Sequence, residues 1–220
     1  MVSERVSIRV TTDPMFGENS YVVSAAADRD CWLIDPGLPP HAAEMTAYVQ
    51  GRGLTAAAIV LTHAHGDHIA GIDGVVAALG PLPIYLAREE WAALSDPREN
   101  LSSNVGLGVV VRHREPLHDL VPGRTLTLDG LAWSVLDTSG HSPGGRSLYC
   151  AEAGVVIVGD ALFEGGIGRV DFHHSDGDRL LRNIRDQLLT LPDDTRVLSG
   201  HGGETTIGRE RRTNPFLAAL

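Results

Sequence analysis

The sequence predicts an α/β (α+β) fold in which two groups of strands, each followed by helix, stack as a layered sandwich with the helices outside. Three observations lead there. Apolar runs of strand length alternate with turn-rich breaks in both halves of the chain. Helical periodicity follows those runs without the strict strand–helix–strand alternation of a doubly wound sheet. The composition, 43% hydrophobic over 220 residues, can bury a substantial core, and the length suits one domain spanning 1–220.

The opening MVSERVSIRV alternates polar and apolar residues like a strand and lacks the apolar stretch of a signal peptide. SYVVSA (20–25) and CWLID (31–35) read as further strands, separated from the first by the turn-rich DPMFGEN (13–19). After DPGLPP, a helix opens at Pro40 or His41 and runs to Gly51 or Gly53. AAAIVLT (56–62) is a buried strand, and IAGIDGVVAALG (69–80) a helix stopped by Gly80 and Pro81. PIYL (83–86) is a strand and REEWAAL (88–94) a short helix, whereas residues 95–122 have no clear period and read as a long loop. The second half repeats the logic: RTLTLDG, AWSVLDT, SLYC and VVIVGD are strands. DGDRLLRNIRDQLLTL (176–191) carries one apolar helical face, and TRVLSGHG is a last strand.

The net charge of −10 argues against a nucleic-acid partner, which needs clustered cations to displace counterions. All 18 basic residues are arginine, so Schiff-base chemistry and a Walker-type phosphate loop, both dependent on a lysine amine, are excluded. No apolar run reaches the ~18–20 residues of a membrane span. Cys31 and Cys150 sit in apolar stretches and read as buried free thiols of a reducing cytoplasm.

The chemistry concentrates in LTHAHGDHIAG (61–71), directly after a strand. In an extended segment His63 and His65 point the same way, and Asp67 and His68 address a neighbouring point from the turn that enters a helix. Three other stretches also end a strand in a metal-competent side chain among small residues: DTSGHSPGG (His141), VVIVGDALF (Asp160) and VLSGHGGET (His201). Together these are five imidazoles and two carboxylates, which suit Zn²⁺, Fe²⁺ or Mn²⁺ better than Ca²⁺ or Mg²⁺. With no cysteine in the cluster, a closed structural zinc site is disfavoured. The other histidines, including His113, His118, His173 and His174, read first as solvated loop residues, though the last two could line a pocket.

These motifs (THAHGDH, SGHSPGG, VGDALF and SGHGGETTIG) resemble the metallo-β-lactamase superfamily across nearly the whole chain. The resemblance implies a four-layer αββα sandwich with a dinuclear site at one edge. It implies that His63, His65 and His141 hold one divalent ion, that Asp67, His68 and His201 hold the second, and that Asp160 bridges both. Asp35 of LIDPG matches the acid that supports the site from behind its ligands, orienting one of them. Zn²⁺ is the first expectation for the two ions, with Fe²⁺ or Mn²⁺ as alternatives.

Two such ions roughly 3.5–4 Å apart would share a hydroxide and polarise a substrate carbonyl, with Asp67 and Asp160 as the catalytic carboxylates. GDALFEGGIGRVDF and the closing GHGGETTIGRERRTNPFL resemble the glyoxalase II-like branch, the hydroxyacylglutathione hydrolases. That branch places a basic residue at the position of Arg169, where it contacts the glycine carboxylate of glutathione. Only 19 residues follow His201, so the resemblance is to the short, single-domain type. Asp171 stands where the larger enzymes carry a tyrosine. The leading expectation is a thioester hydrolase acting on a small, glutathione-linked molecule. The alternatives are a persulfide dioxygenase with a single iron on His63, His141 and Asp160, a lactonase or other ester hydrolase, and a non-catalytic metal-binding protein. A nuclease is disfavoured by the acidic balance, and the oligomeric state is left open.

Overall fold

The computed structural model describes residues 5–25, 29–114 and 116–218. Residues 1–4 of the expected first strand and Glu115 of the expected loop lie outside them. The first sheet holds β1 (Val6–Thr12), β2 (Asn19–Ala25), β3 (Asp30–Ile34), β4 (Thr55–Val60), β5 (Ile84–Leu86) and β6 (Leu117–Asp119), side by side in chain order. β1, β2 and β3 pair antiparallel, and the pairings from β3 to β6 are parallel. The second sheet holds β7 (Thr125–Leu128), β8 (Leu131–Asp137), β9 (Arg146–Cys150) and β10 (Val155–Gly159). After the small hairpin of β11 (Leu162–Phe163) and β12 (Gly166–Ile167), β13 (Arg196–Ser199) and β14 (Thr205–Thr206) complete it, in the order β14-β13-β10-β9-β8-β7.

Side-chain alternation along these strands builds the layers. In β2 and β3, Tyr21, Val23, Trp32 and Ile34 face inwards and meet Leu128, Trp133, Val135, Leu148 and Ile157 of the second sheet. Trp32 and Trp133 stack at a tilt across that interface, ring centroids 5.9 Å apart. The intervening Val22 and Leu33 face outwards onto α1 (Pro39–Arg52) and α3 (Ile72–Leu79) through Met45, Val49, Ile72 and Val76. In β10, Val155 and Ile157 face in, whereas Val156 and Val158 meet Leu180 of α4 (Gly177–Asn183) and Ile207 of α5 (Ile207–Thr213). Sheets apolar on both faces demand cover on both, and the result is the αββα sandwich.

Three expectations change in detail. The helix expected over 69–80 is broken into α2 (Gly66–Ile69) and α3, because the Gly71 N–H turns away to donate to the Pro36 carbonyl, 2.9 Å. The loop expected over 95–122 contains a 3₁₀ turn at Ser102–Val105 and the three-residue β6, too short to show a period of its own. The helix expected over 176–191 is α4 followed by a π-helical turn, Ile184–Leu188. Cys31 and Cys150 are buried free thiols. Among the described residues, no helix is long and apolar enough to cross a membrane.

Candidate metal centre

Strand direction brings the motifs together. β8 and β10 are both antiparallel to β9, and β10 is parallel to β13, so His141, Asp160 and His201 all emerge at one edge of the second sheet. The segment after β4 faces them from the first sheet. Its approach is fixed by Asp35, a left-handed residue at φ 46°. The Asp35 carboxylate accepts from the Thr62 N–H (2.7 Å), the Thr62 hydroxyl (2.6 Å) and His68 Nδ1 (3.1 Å).

His65 Nδ1 lies 3.1 Å from His63 Nε2 and 3.0 Å from His141 Nε2. Asp67, His68 and His201 form a second group whose ligand atoms lie within 4.8 Å of one another. Asp160 stands between them, with Oδ1 3.5 Å from His68 Nε2 and Oδ2 3.5 Å from His141 Nε2 and 3.4 Å from His201 Nε2. Gly200 makes room for it, since a Cβ there would overlap Asp160 Oδ1. All seven residues singled out in the sequence thus converge, with Asp35 directly behind His68.

The hydrogen bonds test whether this set suits a cation. Four histidines have Nδ1 tied outwards: His63 to the Thr62 hydroxyl (3.1 Å), His68 to Asp35, His141 to the Arg169 carbonyl (2.8 Å) and His201 to the Phe16 carbonyl (3.0 Å). Each Nδ1 therefore carries the proton, and each Nε2 turns a lone pair inwards. His68 Nε2 and Asp160 Oδ1 are buried without a hydrogen-bond partner, a costly arrangement unless a cation supplies one. Nitrogens bound tetrahedrally at zinc distances stand about 3.3 Å apart, close to the spacing of the first triad. The donor set fits two divalent ions.

The local field agrees. Burial, then the neighbouring imidazoles, push His63 and His65 well below the ordinary histidine range, so both are neutral ligands. Burial opposes charge on His68 and His201, yet the carboxylates around them raise both. Asp67 is held below the ordinary range against its own burial by His68 and His201. This end of the site attracts positive charge.

Three buried supports carried no sequence signal. Glu18 lies 3.9 Å from His68 Nδ1, and burial pushes its carboxyl up to about 9. Asn19 donates to the Ser199 (3.1 Å) and Gly202 (2.9 Å) carbonyls and clamps the loop carrying His201. Glu90 accepts from the Gly144 N–H (2.8 Å) and braces the loop carrying His141. Each is an isolated polar residue whose partner is remote in sequence.

The centre floors a cavity of about 560 Å³ walled by Phe16, Leu101, Val105, Leu107, Phe163 and Phe172. Arg169 reaches its rim, where it lies 4.6 Å over the Phe172 ring and closes bidentately on Asp171, at 3.0 and 2.9 Å. His174 contacts His65, Nε2 to Nε2 3.3 Å, whereas His173 is exposed.

Comparison with known proteins agrees with this architecture. The probable metallo-hydrolase YqgX of Bacillus subtilis is 39% identical over 95% of this chain and 96% of its own. The hydroxyacylglutathione hydrolase GloC of Haemophilus influenzae is 33% identical over 86% of this chain and 88% of its own. Among solved structures, the B3 metallo-β-lactamase BLEG-1 superposes with a TM-score of 0.88 at 37% identity, covering 97% of this chain and 99% of that one. TTHA1623 in a di-iron-bound form gives 0.80 at 37% identity, covering 95% and 100%. The metallo-β-lactamase superfamily profile matches residues 14–201, and the chain belongs to that superfamily as a metal-dependent hydrolase.

Proposed function

We propose that the chain is a single-domain, dinuclear thioester hydrolase of the hydroxyacylglutathione type. The observation that carries this reading is Asp160, a carboxylate placed between two complete ligand triads, with Oδ1 towards His68 of one and Oδ2 towards both His201 of that triad and His141 of the other. His63, His65 and His141 would hold one ion, Asp67, His68 and His201 the other, with Zn²⁺ first and Fe²⁺ the alternative suggested by the di-iron relative. Two divalent ions supply Lewis acidity towards a substrate carbonyl and lower the pKa of the attacking water. Asp67, held ionised, accepts a hydrogen bond from that water and orients it. The aromatic and aliphatic walls exclude other water and strengthen every charge interaction on the floor. A complete second triad favours this chemistry over the single-iron dioxygenase. GloC supports the thioester as substrate, and two buried free thiols suit a reducing, cytoplasmic setting.

Arg169 would receive the substrate's carboxylate, but Asp171 already occupies its guanidinium, so the acid competes with an anionic substrate. That closed pair beside apolar walls favours a second reading, a lactone or other uncharged ester. The deciding experiment measures hydrolysis of S-D-lactoylglutathione and an acyl lactone by metal-analysed protein. We expect thioester turnover abolished by chelator and by Asp160→Ala, a KM lowered by Asp171→Asn and raised by Arg169→Ala, and kcat little changed by either. No thioester turnover from protein holding two ions rejects the leading reading. Turnover of the lactone instead establishes the second.

A further inference from the structure

We propose that Glu99, His173 and His174 form a separate site for a third divalent cation, of the Zn²⁺, Co²⁺ or Ni²⁺ class, at the mouth of the pocket. The three side chains come from two loops far apart in sequence, yet each offers a ligand atom within 4.8 Å of the others. His173 Nε2 lies 3.2 Å from His174 Nδ1, and 3.9 Å from a Glu99 carboxylate oxygen. The imidazole spacing is close to the 3.0 and 3.1 Å of the interior triad, and to the about 3.3 Å that tetrahedral ligation imposes.

A hydrogen bond between the two rings does not account for the cluster. His65 turns Nδ1 inwards with the triad, so its Nε2 carries the proton and donates to His174 Nε2. His174 Nδ1 is then the donor to His173 Nε2. The lone pair of His173 that receives this bond is the atom Glu99 approaches, so an acceptor faces a carboxylate. A cation reconciles the three groups. Two imidazoles with one carboxylate select a borderline transition ion over Ca²⁺ or Mg²⁺. The third ion binds more weakly than the interior pair, because ligation through His174 Nδ1 moves its proton to Nε2, against the proton of His65.

Such an ion joins the two walls of the pocket. Glu99 immediately precedes Asn100 and Leu101, which line one side, and His173 and His174 follow Phe172, which lines the other. An occupied site therefore staples the 99–107 loop to the 169–174 segment and narrows access to the floor.

The test is equilibrium dialysis against rising free Zn²⁺, with metal counted per chain by mass spectrometry for the wild type, His173→Ala and Glu99→Gln. Both changes are at exposed positions, and retention of two tightly held ions reports an intact interior centre. We expect the wild type to take up a third, weaker equivalent that both variants lose. Wild type saturating at two, or either variant keeping three, overturns the proposal. Amide exchange across 99–107 provides a second measurement: it slows as the third equivalent binds, and unchanged exchange overturns the staple.

Discussion

At the scale of single residues, the centre depends on polar groups held where they would be unfavourable alone. Asp35 sits in the left-handed region, a conformation that costs about 1–3 kcal/mol for most side chains and that Asn tolerates as well as Asp. Asp35→Asn therefore preserves the turn but weakens the acceptor for His68 Nδ1. We expect metal affinity of the His68 ion to fall roughly 10–100-fold, measured by chelator competition, with little change in fold. Unchanged affinity would remove Asp35 from the site. Glu18 offers a pH test. Its carboxyl rises from an ordinary 4.5 to about 9 on folding, chiefly by burial. Between those values the folded chain keeps a proton that the unfolded chain has released, so this group's stabilisation is lost as pH rises through the window. Urea unfolding of the metal-free protein should show Glu18→Gln gaining on the wild type from the acid end of that window to the alkaline end; parallel curves would refute the assignment. Asp35 was legible through the resemblance, in which LIDPG matches the acid that stands behind the ligands. Glu18 was not, because an acid in a turn is ordinarily solvated and only the close approach of the 35–37 turn buries it.

At the scale of elements, each ligand motif follows a strand, with Asp67 and His68 in the short α2, and clamps from elsewhere brace the loops carrying His141 and His201. The strand half of that device was readable: each ligand motif follows an apolar run and is flanked by small residues. The clamps were not, since they join positions 180 residues apart, as Asn19 and Ser199 do. Removing the Asn19 amide takes a donor from the Ser199 and Gly202 carbonyls, although the Tyr21 hydroxyl still serves Ser199 (2.7 Å), so Asn19→Ala should cost about 1 kcal/mol of stability by urea unfolding. It should also lower occupancy of the ion held by His201, measured by metal content. A loss of stability with full occupancy would make the clamp structural only. The short elements, β6 and the β11–β12 hairpin, escaped periodicity for a different reason: two or three residues cannot display a repeat, and pairing alone defines them.

At the scale of the whole molecule, the layered architecture was legible because strands followed by helix recur in both halves without strict alternation, and the resemblance implied the four layers, whereas the order of strands within each sheet was not legible. The seam between the sheets is where metal acts on stability. An ion at 1,000 times its dissociation constant contributes roughly 4 kcal/mol. At about 2–4 °C per kcal/mol for a chain of this size, stripping both ions should lower the melting midpoint by more than about 10 °C, and re-addition should restore it. A midpoint indifferent to chelator would mean that the seam holds without them. The chain crosses that seam in a particular way: β1 to β6 build one sheet, and β7 to β10 with β13 and β14 build the other. Each triad takes two members from the first half of the chain and one from the second, His63 and His65 with His141, Asp67 and His68 with His201. Cut between β6 and β7, neither piece owns a complete binding set, although the shared inner core still draws the pieces together. Divalent metal then becomes the input of a molecular AND gate: fused to the halves of a split reporter, the two fragments should signal more strongly with metal than with chelator, and the difference between those signals measures the bond that the ions make between two otherwise separate polypeptides.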